Sequence, residues 1–274
     1  MLIAQLTDLH IKKGGKIAYQ KVDTLQCLRA AVAHINALQP QPDWVVVTGD
    51  LGDFGRPDEY AVLVPELKQL NMPVKVIPGN HDHRAALREA FAGFVTFDHD
   101  DYCHFVQSAG GYRLIGLDSS VPGKPHGHVT AASLLWLADR LVESPDCPTL
   151  LFLHHPPLAV GLGHMDVQKL LNDDDLWQVV RHHPQVKGLV VGHLHRPVYG
   201  TWHGLPVWVG PSHSHAVTLD LRADAPSSFS LEAPAIQLFK LTPDSIVSHI
   251  SYIRKAGEIQ GPYPFFDEHN KLID

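Results

Sequence analysis

Five hydrophobic runs of β type each give way to a short motif rich in metal-ligand side chains, and this repeated junction constrains the fold more than anything else in the chain. The runs are Leu2–Leu6, residues 44–47, Val74–Ile77, residues 150–153 and residues 189–191. The motifs that follow them are Asp8-Leu9-His10, Gly49-Asp50, Gly79-Asn80-His81-Asp82, His154-His155-Pro156 and Gly192-His193-Leu194-His195. Asp, Asn and His without cysteine suit hard or borderline divalent cations. The motifs offer more ligands than one four- to six-coordinate ion needs. They therefore point to two ions sharing a carboxylate, an arrangement that clamps a phosphoryl group.

Between these junctions the first part of the chain alternates strand and helix. Apolar residues Leu25, Leu28, Val32, Ile35 and Leu38 keep helical spacing and predict a helix over residues 21–38, ended before Pro40. Residues 58–70, bent at Pro65, and residues 83–91 predict two more helices around the strand Val74–Ile77. This rhythm argues a mostly parallel sheet with helices outside. Residues 102–106 and 112–118 then flank a Gly110-Gly111 turn and read as a hairpin. Helices at Ala131–Val142 and residues 166–182, with strands at residues 149–153 and 187–191, resume the alternation. Short β segments follow at Val198–Trp202 and residues 206–209, 235–241 and 246–253, with residues 223–230 as a loop. The whole predicts two packed sheets with helices on both outer faces. The strands after about Arg196 are expected to extend the second sheet or form a lid.

The chain has 274 residues, enough for one large domain or one domain with an elaboration. A net charge of −7 excludes the electrostatic footprint of a nucleic-acid polymer binder. An anionic substrate must then be drawn by something local, which metal ions would supply. Twenty histidines fit that expectation, since neutral imidazole is the commonest metal ligand. Cys27, Cys103 and Cys147 are odd in number and widely spaced, so they form neither a disulfide framework nor a zinc knuckle. The N-terminus lacks a signal-peptide pattern, and no apolar run approaches the ~20 residues that span a bilayer. The expectation is a cytoplasmic protein with no membrane partner.

Open α/β sheets bind ligands at the carboxyl ends of their strands, where all five motifs lie. Asp8 and His10, two apart in an extended segment, point the same way and can grip one ion. The two oxygens of Asp50 can bridge two cations. Asn80 offers a neutral oxygen, and His81 could face a substrate oxygen instead of an ion. Adjacent His154 and His155 point to opposite faces, so one binds and the other is a supporting donor or core residue. His193 and His195 form another same-face pair. His213 and His215 could line the pocket or face solvent. Asp173-Asp174-Asp175 lacks the spacing of a calcium loop and reads as a helix start or surface charge run. Gly14-Gly15-Lys16 lacks phosphate-loop spacing. Neither a Gly-x-Ser-x-Gly elbow nor a Gly-x-Gly-x-x-Gly fingerprint occurs.

In this order the five motifs resemble the calcineurin-like metallophosphoesterase superfamily. Residues 49–60 (GDLGDFGRPDEY), 77–82 (IPGNHD) and 261–270 (GPYPFFDEHN) are similar to its bacterial cyclic-nucleotide phosphodiesterase and glycerophosphodiesterase branch. The resemblance implies a four-layer α/β/β/α sandwich of two mixed sheets flanked by helices. It implies a catalytic core over residues 1–196. Residues 197–274 would be a β extension that joins the second sheet, caps the site and dimerises. It assigns Asp8, His10 and His195 to one metal, Asn80, His154 and His193 to a second, and Asp50 to a bridge. The metals would be Fe, Mn, Zn or Co. His81 would act on the scissile phosphate or leaving group, and His215 would contact substrate. The implied activity is hydrolysis of a small phosphodiester by metal-activated hydroxide, the substrate being a glycerophosphodiester or a 3′,5′-cyclic nucleotide. A dedicated cyclic AMP phosphodiesterase and a non-catalytic scaffold with this fold are the rival readings. A homodimer or higher homo-oligomer is implied too, and with no cysteine after Cys147 no disulfide can join C-terminal segments.

Overall fold

The computed structural model describes residues 1–253 and 263–265, so the stretch 261–270 lies mostly outside the described residues. In chain order the elements are β1 (Leu2–Leu6), α1 (Thr24–Ala37), β2 (Trp44–Thr48), α2 (Pro57–Leu67), β3 (Val74–Ile77) and α3 (Arg84–Ala90). Next come β4 (Phe105–Ala109), β5 (Tyr112–Gly116), α4 (Ala131–Val142), β6 (Thr149–Phe152), α5 (Gly163–Asp166), α6 (Asp173–Val180) and β7 (Val186–Val191). The last are β8 (Val198–Trp202), β9 (Leu205–Val209), β10 (Ala216–Val217), β11 (Phe229–Ser230), β12 (Ala235–Thr242) and β13 (Ser245–Tyr252).

Two mixed sheets carry the fold. One runs β13-β12-β1-β2-β3, with β1, β2 and β3 parallel and β12 antiparallel to β1. The other runs β4-β5-β6-β7-β9-β8, parallel from β5 to β9 and antiparallel at both edges. The period-two alternation of strand side chains sorts the cores. Ala4, Leu6, Val45 and Val47 pack with Leu28, Val32, Leu63 and Leu87 of the first three helices. Ile3, Val46, Leu150, Phe152 and Val190 meet between the sheets. Leu151, Leu189 and Val191 pack with Leu137 and Leu141 of α4 and Leu176 of α6. These three cores are the α/β/β/α layering expected from the sequence.

Local signals account for the helix limits. The Asp23 carboxylate accepts from Gln26 N (2.9 Å) at the start of α1. Pro57 opens α2, where no backbone donor is needed. Of the helix expected over residues 166–182 only Asp173–Val180 is helical, as α6, and Asp166 instead ends the separate short helix α5. Asn172 breaks the expected helix: its amide donates to Val129 O (2.7 Å) and accepts from Val129 N (3.0 Å), tying the segment to the chain before α4. A second correction concerns the C-terminal strands. β8 and β9 extend the second sheet as expected, but β12 and β13 join the first. Most of β12 is buried, as befits a strand with neighbours on both sides, and it fills the open edge of β1. β13 alternates exposed and half-buried residues, the pattern of an edge.

Candidate metal centre

The loops after β1, β2, β3, β6 and β7 converge at the carboxyl ends of the parallel strands. Strand-like pairing outlasts the strands there: Asp8 N donates to Gly49 O (3.0 Å) and His10 N to Asp50 O (2.9 Å). Asp8, His10, Asp50, His193 and His195 all adopt left-handed backbone, with φ between 47° and 72°. Non-glycine residues occupy this region at a cost of about 1–3 kcal/mol each, and such strain gathers at functional sites. Gly49 (φ 97°) makes the approach possible, because a side chain there would collide with the His154 ring and the Gly79 backbone.

The donor atoms lie close together. Asp8, His10, Asp50 and His195 form one group whose ligand atoms all fall within 4.8 Å of one another. His10 Nε2 is 3.1 Å from His195 Nε2 and 3.6 Å from Asp50 Oδ2, and His195 Nε2 is 3.4 Å from Asp8 Oδ1. Around the other Asp50 contact, His154 Nε2 is 3.3 Å from Oδ2, 3.1 Å from Asn80 Oδ1 and 3.2 Å from His193 Nδ1. Donors ~2.1 Å from a shared cation stand about 3.0–3.4 Å apart along the edges of an octahedron or tetrahedron. The observed spacings fall in that range, except His10 to Asp50, which is slightly wider at 3.6 Å.

The surroundings aim the lone pairs inward. His154 Nδ1 lies 2.7 Å from Thr48 O; a carbonyl only accepts, so Nδ1 carries hydrogen and Nε2 faces the cluster. His10 Nδ1 faces Asp53 Oδ1 at 3.3 Å, which leaves its Nε2 for the cluster. His155, the third member of a group with His154 and His193, has both nitrogens engaged, with Ser119 Oγ (2.8 Å) and Pro125 O (3.2 Å). It supports the wall instead of facing the ions. Asp82 is a clamp: it accepts from Leu51 N, Gly52 N and Gly79 N and from the Tyr60 hydroxyl, fixing the loops that carry Asp50 and Asn80.

Electrostatics favour a cation. Burial raises the Asp8 carboxyl to about 6. Burial would raise Asp50 as well, but His154, His81 and His10 override it and hold that carboxyl well below its ordinary value. Burial works against a charged His154, yet the Asp50 carboxylate raises it to about 9, so in the metal-free chain a proton stands where a metal ion could. Burial lowers His193 to about 3 and His195 well below its ordinary value, which keeps both neutral and able to donate electron pairs. Asp8 Oδ2, His193 Nε2 and His195 Nδ1 are buried without a hydrogen-bond partner among the described residues. The His and Asp donors thus fit a metal centre.

All nine residues singled out as ligands or substrate contacts come together. His81 N donates to Asp50 Oδ1 (2.9 Å), and its Nδ1 donates to Asp53 O (2.8 Å). The His215 ring lies 4.6 Å from that of His195 and 5.3 Å from that of Tyr19. His213 is buried with Nε2 3.2 Å from Thr24 O and does not line the cavity. The acidic run Asp173–Asp175 forms the first turn of α6. Sequence reasoning missed Asp53, which pairs with both His10 and Lys12. Burial opposes its charge, but His10 and Lys12 lower it to about 2. The signal was there: Asp53 repeats the Gly-Asp of residues 49–50 three positions on.

Two cavities flank the cluster. One of about 300 Å³ is lined by His10, Asp50, Asn80, His81, His193 and His195, among others. The other, about 730 Å³, runs past Asn80 and His81 to Arg84, Asp100 and Ser120. The Arg84 guanidinium is held there by Asp118 (2.5 Å) and Ser120 O (3.1 Å).

Comparison with known proteins agrees with this geometry. Residues 1–197 match the family described as calcineurin-like phosphoesterase. A probable glycerophosphodiester phosphodiesterase of Arcobacter nitrofigilis is 41% identical over 276 residues, covering 100% of both chains. A probable cyclic nucleotide phosphodiesterase of Rhodopseudomonas palustris is 36% identical, covering 91% of each. The solved structure of a dimetal phosphatase from Danio rerio shares the fold at a TM-score of 0.69 and 17% identity, covering 93% of this chain and 97% of that one. The chain belongs to the calcineurin-like phosphoesterase family.

Proposed function

We propose that this member of the calcineurin-like phosphoesterases is a metal-dependent phosphodiesterase of small diesters, either glycerophosphodiesters or 3′,5′-cyclic nucleotides, the chemistry named for its relatives. The observation that carries the reading is the pair of cavities meeting at Asn80 and His81. A diester needs room for an organic group on each side of phosphorus, and a monoester needs it on one side only. In this reading Asp8, His10 and His195 hold one ion, Asn80, His154 and His193 hold another, and Asp50 bridges. Fe, Mn, Zn and Co all accept such nitrogen and oxygen donors. When bound, the ions supply Lewis acidity, activation of water near neutral pH and offset of phosphoryl charge.

The chain's own residues do the positioning. Asn80 and His81 stand at the junction of the cavities, and in this reading phosphorus binds beside them. His81 keeps its Nδ1 hydrogen bond to Asp53 O (2.8 Å), so its orientation is fixed and Nε2 is left for substrate. In its protonated form the ring passes the Nε2 proton to the departing oxygen. The apolar residues Leu9, Leu51 and Leu194, each fully or almost fully buried beside the ligands, keep bulk water from the back of the cluster.

Side-by-side turnover of glycerophosphoethanolamine, cAMP and p-nitrophenyl phosphate with Mn²⁺ tests the reading. A diester is expected to be preferred; a preference for the monoester would sink it. His81→Ala is expected to keep its metal and to lose roughly 10²–10⁴-fold in turnover. Undiminished turnover in that variant would remove His81 from the chemistry.

A further inference from the structure

His164 lies in α5, outside every group of convergent metal donors among the described residues. It lines the same 300 Å³ cavity as His10, Asp50 and His81. Both its ring nitrogens are buried, and neither has a hydrogen-bond partner among the described residues. Its backbone is pinned. Gln168 Nε2 donates to His164 O (2.7 Å), and the Asp166 carboxylate accepts from Val160 N (2.8 Å) and Gly161 N (2.9 Å). Buried imidazole nitrogens without partners are costly, and native proteins rarely keep such a group without a use.

Resting on the phosphodiesterase reading, we propose that His164 anchors a hydroxyl-bearing ester group of the substrate, the polyol or sugar side of the diester. Away from the metal-ligand residues the same cavity offers the polar side chains Tyr19, Gln168, Ser227 and Ser228 beside the apolar Met165, Val217 and Phe229, which suits a carbon skeleton bearing hydroxyls. No lysine or arginine lines this cavity among the described residues, so the wall is not built for a second anion. A neutral imidazole has one donor and one acceptor nitrogen, and a hydroxyl can serve either. A site built to hydrogen-bond a substrate hydroxyl discriminates strongly against a substrate without one. His164 is therefore a specificity-determining residue.

The test uses the full chain loaded with Mn²⁺, as wild type, His164→Gln and His164→Phe. Two substrates are compared: whichever of glycerophosphoethanolamine and cAMP the wild type turns over faster, and bis(p-nitrophenyl) phosphate, which has no hydroxyl. His164→Phe should lose roughly 10- to 100-fold in kcat/KM on the hydroxyl-bearing diester. It should stay within about twofold on the other, and His164→Gln should fall between. Calorimetry should find glycerol 3-phosphate bound more weakly by His164→Phe and inorganic phosphate bound equally. Equal losses on both diesters, or no loss on either, would overturn the proposal. Should His164→Phe fail to fold, judged by its thermal melt, His164→Gln carries the same comparison. A wild type that cleaves no diester would defeat the phosphodiesterase reading alone, and the calorimetric comparison would still decide the role of His164.

Discussion

The two halves of the candidate centre are built differently. Asp8, His10, Asp50 and His195 all sit on left-handed backbone, whereas in the other half only His193 does; Asn80 and His154 do not. The first half is set by strained loops that the surrounding sheets over-determine. The second is set by hydrogen bonds, from His154 to Thr48 O and through the Asp82 clamp beneath the Asn80 loop. Charge divides the same way. The first half carries Asp8 and Asp50, with Asp53 behind His10. The second has Asp50 alone among neutral donors. A cation should be gripped more tightly where carboxylates are more numerous and loops more rigid.

The comparison can be broken most directly at the residue the halves share. Asp50→Ala should release metal from both and lower activity by well over the ~100-fold that outer partners cost. Intact metal content with full activity would sink the bridge. Next come two variants that should separate the halves. Asn80→Ala should reduce Mn²⁺ stoichiometry while the tighter ion stays. Asp53→Asn should weaken the tighter ion roughly 10- to 100-fold, as expected for a partner behind a ligand. If calorimetric titration finds the same loss in both variants, the halves are not independent. Gly49→Ala is a smaller perturbation. It forces a side chain against His154 and the Gly79 backbone at a left-handed position, and should cost about 2–4 kcal/mol in a thermal or denaturant melt.

The smallest effect separates the centre from the wall of the larger cavity. His104 Nδ1 accepts from Asp118 N (2.9 Å), its Nε2 meets Ser133 Oγ (2.9 Å), and Asp118 in turn holds Arg84. Burial lowers His104 from 6.5 to about 3. Below its unfolded value the unfolded chain takes up a proton that the folded chain refuses. Stability is therefore complete above about pH 6.5 and falls as pH drops towards 3, at up to ~1.4 kcal/mol per pH unit. Acidifying from about pH 6 to about pH 5 should cost the metal-free protein about 1 kcal/mol through His104, on top of what the buried histidines of the centre contribute, and His104→Asn should reduce the slope by that share. An unchanged slope in the variant would assign it elsewhere.

Much of this was legible in the chain. Strand-end positions of Asp8, Asp50, Asn80, His154 and His193 follow from hydrophobic runs ending in polar motifs, because periodicity and burial are local properties. The left-handed backbone at Asp8 and His10 was not legible. An extended reading put their side chains on one face, but what holds them at that turn is pairing with Gly49 and Asp50, some forty residues away. The place of β12 was hidden for the same reason: its alternation shows that it is buried, not beside which strand. Asn172 broke a well-patterned helix through contacts with Val129 that no local window contains. Asp53 and His164 act through what they face, and neither belongs to a periodic pattern.

The pairing of β1 with β12 bears on how the protein comes to be made. The strand that leads into Asp8 and His10 is synthesised long before one of its two neighbours, and Met1 N ends bonded to Leu241 O (3.0 Å), 240 positions on. Such distant pairing is slow to form and leaves an open strand edge while it waits. A nascent chain therefore cannot finish the sheet beneath its first metal loop until translation has passed residue 242. A cation met during synthesis would find that loop only partly braced.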